Sequence, residues 1–117
     1  MKVIIAGSRD IAREQVLDIL DGMDNIECIS EVVSGGADGV DSAGEDWAEN
    51  RPDPIKVVQF LPEWNKYGRA AGPIRNKQMA EYADMLIAIW NGSSRGTKNM
   101  IEQMEKLGKP VILYKIQ

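Results

Sequence analysis

Short apolar runs alternate along this chain with stretches of helical periodicity. That alternation admits few folds other than a parallel sheet covered by helices on both faces. The runs are Val3 to Ala6, roughly Glu27 to Val33, Ile55 to Phe60, Met85 to Trp90 and Val111 to Tyr114. The fourth is almost unbroken, as a central strand buried on both faces requires. Ser8 or Asp10 can cap a first helix whose Ala12, Val16, Ile19, Leu20 and Met23 share one face. A second helix near Asp38 to Asn50 turns Val40, Ala43, Trp47 and Ala48 inward. Pro62 ends the third strand, and a loop of about ten residues leads to a helix that opens at Pro73 and runs to about Ala83. The last helix starts near Thr97, packs through Met100, Ile101, Met104 and Leu107, and stops at Gly108. The expectation is one α/β domain over residues 1–117, a Rossmann-like three-layer fold with a five-stranded parallel sheet flanked by helices.

Composition narrows the chemistry. A formal net charge of −4 argues against adhesion to anionic membranes and against nucleic acid as a partner, because such binding grows with the phosphates neutralised. The charge is uneven, however. No acid lies between Trp64 and Ala80, whereas Lys66, Arg69, Arg75 and Lys77 do; this is either a solvated loop or a locally cationic stretch. With one cysteine, Cys28, in an apolar segment where it packs as a small hydrophobe, and no histidine, the usual zinc sites and the Ser-His and Cys-His arrangements are missing. No metal and no cofactor is expected. The first apolar run is too short for a signal peptide and no later one has transmembrane length, so the expected location is the cytoplasm.

Four strands end in loops rich in Gly, Ser and Arg. In an open parallel sheet such loops converge outside the carboxyl ends of the strands, where ligands bind. After the first strand come Gly7, Ser8 and Arg9, either a plain turn or a backbone approach to an anion at a helix start. The second loop carries Gly35, Gly36, Asp38, Gly39 and Asp41, and its three glycines exceed the needs of a turn. Asp38 or Asp41 can accept from ribose hydroxyls, and Asp38 serves equally well as a helix cap. The third loop and its helix hold Arg69, Gly72, Arg75 and Asn76, and Arg75 is expected to serve a pocket rather than the core. The fourth offers Ser94, Gly96 and Thr97 to a phosphate, beside a Trp90 that either stacks on a base or packs in the core. The first turn lacks Gly-x-Gly-x-x-Gly, and no Gly-Lys-Ser/Thr follows a glycine loop, which sets aside the dinucleotide fingerprint and the P-loop.

Taken together, Gly-Ser-Arg at Gly7 to Arg9, Gly-Gly-Ala-x-Gly-x-Asp at Gly35 to Asp41, Arg-x-Ala-Gly-Pro-x-Arg-Asn-x-x-Met at Arg69 to Met79 and Ser-x-Gly-Thr at Ser94 to Thr97 resemble the SLOG superfamily. This Rossmann-like group includes the LOG phosphoribohydrolases and DNA-processing protein A. The resemblance covers almost the whole chain and is closest to the small stand-alone SLOG proteins of bacteria and phages. It implies binding or sensing of a nucleotide or nucleotide-derived ligand, and a homodimer. In that reading Gly7, Gly35, Gly36 and Gly39 admit the ligand, and Ser8, Ser94, Gly96 and Thr97 cradle phosphate. Arg69 and Arg75 neutralise it, and Asn76 orients it.

Two alternatives come with the resemblance. LOG hydrolases cleave the N-glycosidic bond of nucleoside monophosphates with an Arg and a Glu. Arg75 matches the first, but Met100 stands where the Glu belongs, and Glu102 points about 200° away on a helix. Asp38 and Asp41 are the substitutes, and no catalytic residue is assigned. The DNA-processing branch binds single-stranded DNA and shares the Ser34 to Asp41 motif and the Arg75-Asn76 pair. The acidity of the chain ranks that reading third.

Overall fold

In the computed structural model every residue except Asn25 and Gln117 is described, Ile26 by its backbone alone. Five strands, β1 (Lys2–Gly7), β2 (Glu31–Ser34), β3 (Lys56–Gln59), β4 (Met85–Trp90) and β5 (Val111–Lys115), form one sheet in the order β3-β2-β1-β4-β5. Every pairing is parallel, with Ile4 opposite both Val33 and Leu86, and Ala88 opposite Leu113. The strand order reverses between β1 and β4, the switch point at which such sheets leave a crevice.

Alternation along the central strands feeds two cores. On one face Val3, Ile5, Ile87 and Ile89 meet Val16 and Leu20 of α1 (Arg13–Asp21) and Val40, Ala43 and Trp47 of α2 (Val40–Glu49). On the other, Ile4, Ala6, Leu86 and Ala88 meet Met79 and Ala80 of α4 (Ala71–Tyr82) and Met100 and Met104 of α5 (Arg95–Lys106). The expected three-layer fold is the one observed.

Several local expectations differ from the structure. The first helix starts at Arg13, and neither Ser8 nor Asp10 caps it, because the Ser8 amide donates to Ile89 O and its hydroxyl accepts from the Asn91 amide. Ala12, expected inward, is exposed at the N-cap, and Leu107 is exposed as well. The second strand begins at Glu31 rather than Glu27, since Ile26–Cys28 is a 3₁₀ turn. Cys28 there is exposed, not packed as a hydrophobe. The expected loop before Pro73 contains a short helix, α3 (Trp64–Tyr67), and a 3₁₀ turn, Gly68–Ala70, that runs directly into α4. Among the described residues no helix is long and apolar enough to cross a membrane.

Candidate functional site

At the switch point a cleft of about 100 Å³ opens between the carboxyl ends of β1 and β4. Gly7 and Arg9 bound it from β1, Ala37 and Asp41 from the loop and helix after β2, and Arg75 and Asn76 from α4. Ser94, Gly96 and Thr97 close the remaining side, and Met79 and Met100 make an apolar floor. Residues far apart in sequence thus share one concavity.

The loops are tied together by the backbone. Ser8 N donates to Ile89 O at 3.1 Å, Val40 N to Ser8 O at 3.3 Å and Phe60 N to Ser34 O at 2.8 Å. Asn91 organises the fourth loop: its Oδ1 accepts from the amides of Ser93 and Ser94 at 2.8 and 2.9 Å, a local turn of the kind asparagine favours. Ser94 then caps α5, its hydroxyl accepting from the Thr97 hydroxyl at 3.1 Å and, at 3.5 Å, from the Thr97 amide. The first amides of α5 lie at the edge of the cleft, where the positive end of the helix favours an anion.

Arg75 is the most constrained cation of the site. Its Nη1 donates to Gly35 O at 2.7 Å and to Phe60 O at 3.3 Å, and its Nε donates to Asn76 Oδ1 at 3.0 Å. The Nη2 group has no partner among the described residues. Asn76, only 5 % exposed, spends its amide on Gly96 O and Asn99 Oδ1, at 3.2 and 3.0 Å. Asn76 therefore orients Arg75 and anchors α5 and is fully used by the chain. Arg75 both faces the cleft and holds the β2 and β3 loops together, a structural duty the sequence does not reveal.

Asp41 is the carboxylate of the cleft. It is 6 % exposed and accepts from the Ala37 amide at 3.3 Å. Burial pushes its pKa up to about 6, against the opposing pull of the Ala37 and Gly7 amides and the Arg75 charge. Burial also lowers the Arg75 pKa, with Asp41 raising it and Arg9 lowering it. For both partners, desolvation outweighs mutual attraction.

The folded state holds the Asp41 proton more tightly than the unfolded chain does, where the ordinary value is 3.8. Stability therefore falls as pH rises from about 4 to about 6, and the full penalty of roughly 3 kcal/mol is present above that window. Asp41→Asn should melt above the wild type at pH 7.5 and alongside it below pH 4, read by thermal denaturation across pH. Equal shifts at both pH values would show that the fold does not raise the Asp41 pKa.

Of the other expected site residues only Gly7 borders the cleft. The glycine positions are filled by the chain itself: a Cβ on Gly7 would stand 1.9 Å from Ile89 O, and one on Gly39 2.5 Å from Arg9 Cα. On Gly35 it would stand 2.5 Å from Arg75 Nη1, and on Gly36 2.6 Å from Leu61 Cδ2. Ser8 is buried and committed to Asn91. Asp38 is exposed and makes no side-chain cap for α2, whose N-cap is Gly39. Arg69 is exposed on the 3₁₀ turn, and Gly72 sits beneath Trp64. Trp90 donates through Nε1 to Ser94 O at 3.0 Å, a supporting role behind the fourth loop. Sequence reasoning missed Ala37, Met79 and Met100 as cleft walls. The periodicity places Met100 in the core, where it and Met79 both also lie.

The comparisons with known proteins agree with this geometry. The family described as YspA, cpYpsA-related SLOG matches residues 1–67. The chain belongs to this SLOG family. Its resemblance extends to the Gene 61 protein of Mycobacterium phage D29, 36 % identical over 87 residues that make up 71 % of this chain and 70 % of the relative. Among solved structures, DNA processing protein A from Streptococcus pneumoniae superposes with a TM-score of 0.74 at 21 % identity, over 96 % of this SLOG chain and 49 % of that protein. The protein of the same name from Helicobacter pylori, described by its single-stranded DNA binding mode, superposes at 0.75 and 17 % identity over 100 % of the chain and 66 % of that protein. At these identities the likeness speaks for the fold, and the SLOG chain spans about half to two thirds of those proteins.

One expectation is corrected by this result. Net acidity was taken to argue against nucleic acid, yet the fold is shared almost end to end with a protein described by its binding of single-stranded DNA. Net charge averages over the whole surface, whereas binding answers to the local field, and here Arg9 and Arg75 flank the cleft.

Proposed function

We propose that this SLOG domain binds single-stranded DNA, with the phosphate of one nucleotide seated in the cleft between β1 and β4. The observation that carries the reading is the Arg75 guanidinium, pinned by Gly35 O, Phe60 O and Asn76 Oδ1 beside the cleft it lines. A preorganised cation loses little freedom when it meets a phosphate, and Arg9 with the first amides of α5 can share the charge. The fold shared with the DNA processing proteins supports the single strand as the form in which the nucleotide arrives. The same reading puts the protein in the cytoplasm of bacteria or of phage-infected cells.

Titrating labelled oligo(dT) against rising salt tests this. Neutralisation of the one phosphate in the cleft predicts a log–log salt slope of about −0.7. No binding at low salt, or binding indifferent to salt, would remove the single-strand reading.

A free nucleotide is the second reading: the cleft, about 100 Å³ with Met79 and Met100 in its lining, takes a phosphate group whether or not further nucleotides follow it. Mononucleotide that displaces oligo(dT) only at vast excess favours the strand, and tight mononucleotide binding alone favours the small ligand. Release of free base from that mononucleotide would make the cleft catalytic, with Asp41 as its carboxylate.

A further inference from the structure

Next to the cleft, the segment that sequence reading treats as a bare loop exposes two large apolar side chains. Leu61 is 60 % and Trp64 55 % exposed. Solvation explains neither, and Trp64 lies on a helix of four residues too short to stand by itself. The segment is joined to the cleft at three points. Phe60 O accepts from Arg75, Leu61 abuts Gly36, and Trp64 Cη2 lies over the first turn of α4, 3.8 Å from where a Cβ on Gly72 would stand. Gly72 and Arg75 are three residues apart on α4, so they share one face of that helix. The indole thus sits over the helical turn that precedes Arg75.

The charge around the indole matches a polyanion. Lys66 and Arg69 are exposed on α3 and the 3₁₀ turn that follows, against one neighbouring acid, Glu63, and no acid occurs from Trp64 to Ala80. An exposed aromatic face beside cations, next to a phosphate-sized cleft, is what a flexible strand needs: rings to stack its bases and charges to track its backbone.

We propose that Trp64 is a base-stacking platform that receives the nucleotide adjoining the one whose phosphate Arg75 holds, an inference that rests on the single-strand reading above. A lone nucleotide with its phosphate in the cleft leaves this platform empty, so the platform reads chain length rather than phosphate charge.

The test compares wild type, Trp64→Ala and Trp64→Phe for binding of oligo(dT), of an abasic strand of equal length and of dTMP, by anisotropy and intrinsic fluorescence. Trp64→Ala should lose roughly tenfold in affinity for oligo(dT). It should bind the abasic strand and dTMP as the wild type does, and Trp64→Phe should recover most of the loss. Oligo(dT) should quench wild-type tryptophan emission more strongly than that of Trp64→Phe, in which only the buried Trp47 and the half-buried Trp90 remain. Wild-type binding of oligo(dT) that Trp64→Ala retains in full, without quenching, overturns the platform and leaves the single-strand reading standing. Equal losses for oligo(dT) and the abasic strand also overturn it, since that pattern reports backbone contact alone. Failure of the wild type to bind oligo(dT) overturns both.

Discussion

Arg75→Ala should lose at least tenfold in affinity for oligo(dT) and should also melt roughly 10 °C below the wild type. The first effect follows from deleting the fixed cation of the cleft, since hydrogen bonds to a charged group contribute about 1.5–3 kcal/mol each. The second follows from what the guanidinium does inside the protein. It bridges Gly35 O and Phe60 O, and it offsets the charge of Asp41. Removing one member of such a pair leaves the other uncompensated, and at this half-buried position a loss of about 2–3 kcal/mol is expected.

The two effects can be separated. Combining Arg75→Ala with Asp41→Asn removes the stranded carboxylate, so the double variant should recover much of its melting temperature while its affinity stays low. Calorimetry and anisotropy on the same four proteins give the answer. Recovery of both together would mean that Arg75 acts only through stability, and the binding role assigned to it would fall.

Gly7→Ala should be the most damaging single methyl in the chain. The added carbon would stand 1.9 Å from the carbonyl oxygen of Ile89 and 2.8 Å from Val40 Cγ2. The first contact is with the backbone of the neighbouring strand, in register with Gly7, so no side-chain rotation relieves it. Overpacking commonly costs about 1–3 kcal/mol even when neighbours can shift, and here β1 and β4 would have to part at the centre of the sheet. Against a total stability of about 5–15 kcal/mol, the variant should be largely unfolded or recovered as aggregate. Gly96→Ala is the matched control. Nothing lies within 4 Å of its Cβ position, and it sits inside α5, where alanine gains up to about 1 kcal/mol over glycine. Its melting temperature should hold or rise, and a comparable melt for both variants would contradict the packing at Gly7.

These two glycines show why local reading reached only part of the site. Gly7 and Gly96 look alike in sequence, each in a small loop after an apolar strand. One is required because β4 passes against it, and the other merely begins a helix. A pattern of residues records that a side chain is missing, and it does not record what fills the space. The same limit affected Ser8, whose hydroxyl was read as a cap or a phosphate donor. Its partner, Asn91, is 83 positions away. Asn76 looked like a ligand contact and proves to be fully engaged by Gly96, Asn99 and Arg75.

What the amino-acid order determined by itself was the architecture. Five branched apolar runs at strand length and the helical stripes between them leave a parallel, doubly covered sheet as the economical way to bury them, because both signals are periodic and local. The order also located the rim on which chemistry can gather, since the loops rich in glycine, serine and arginine follow the strands in turn. Only the tertiary structure decided which of those side chains face a common cleft, that Asp41 is buried beside Arg75, and that Trp64 stands exposed over the first turn of α4. Those facts depend on contacts between segments tens of residues apart, and burial, which sets both the charge state of Asp41 and the freedom of Arg75, is a property of the packed molecule and not of any stretch of its sequence.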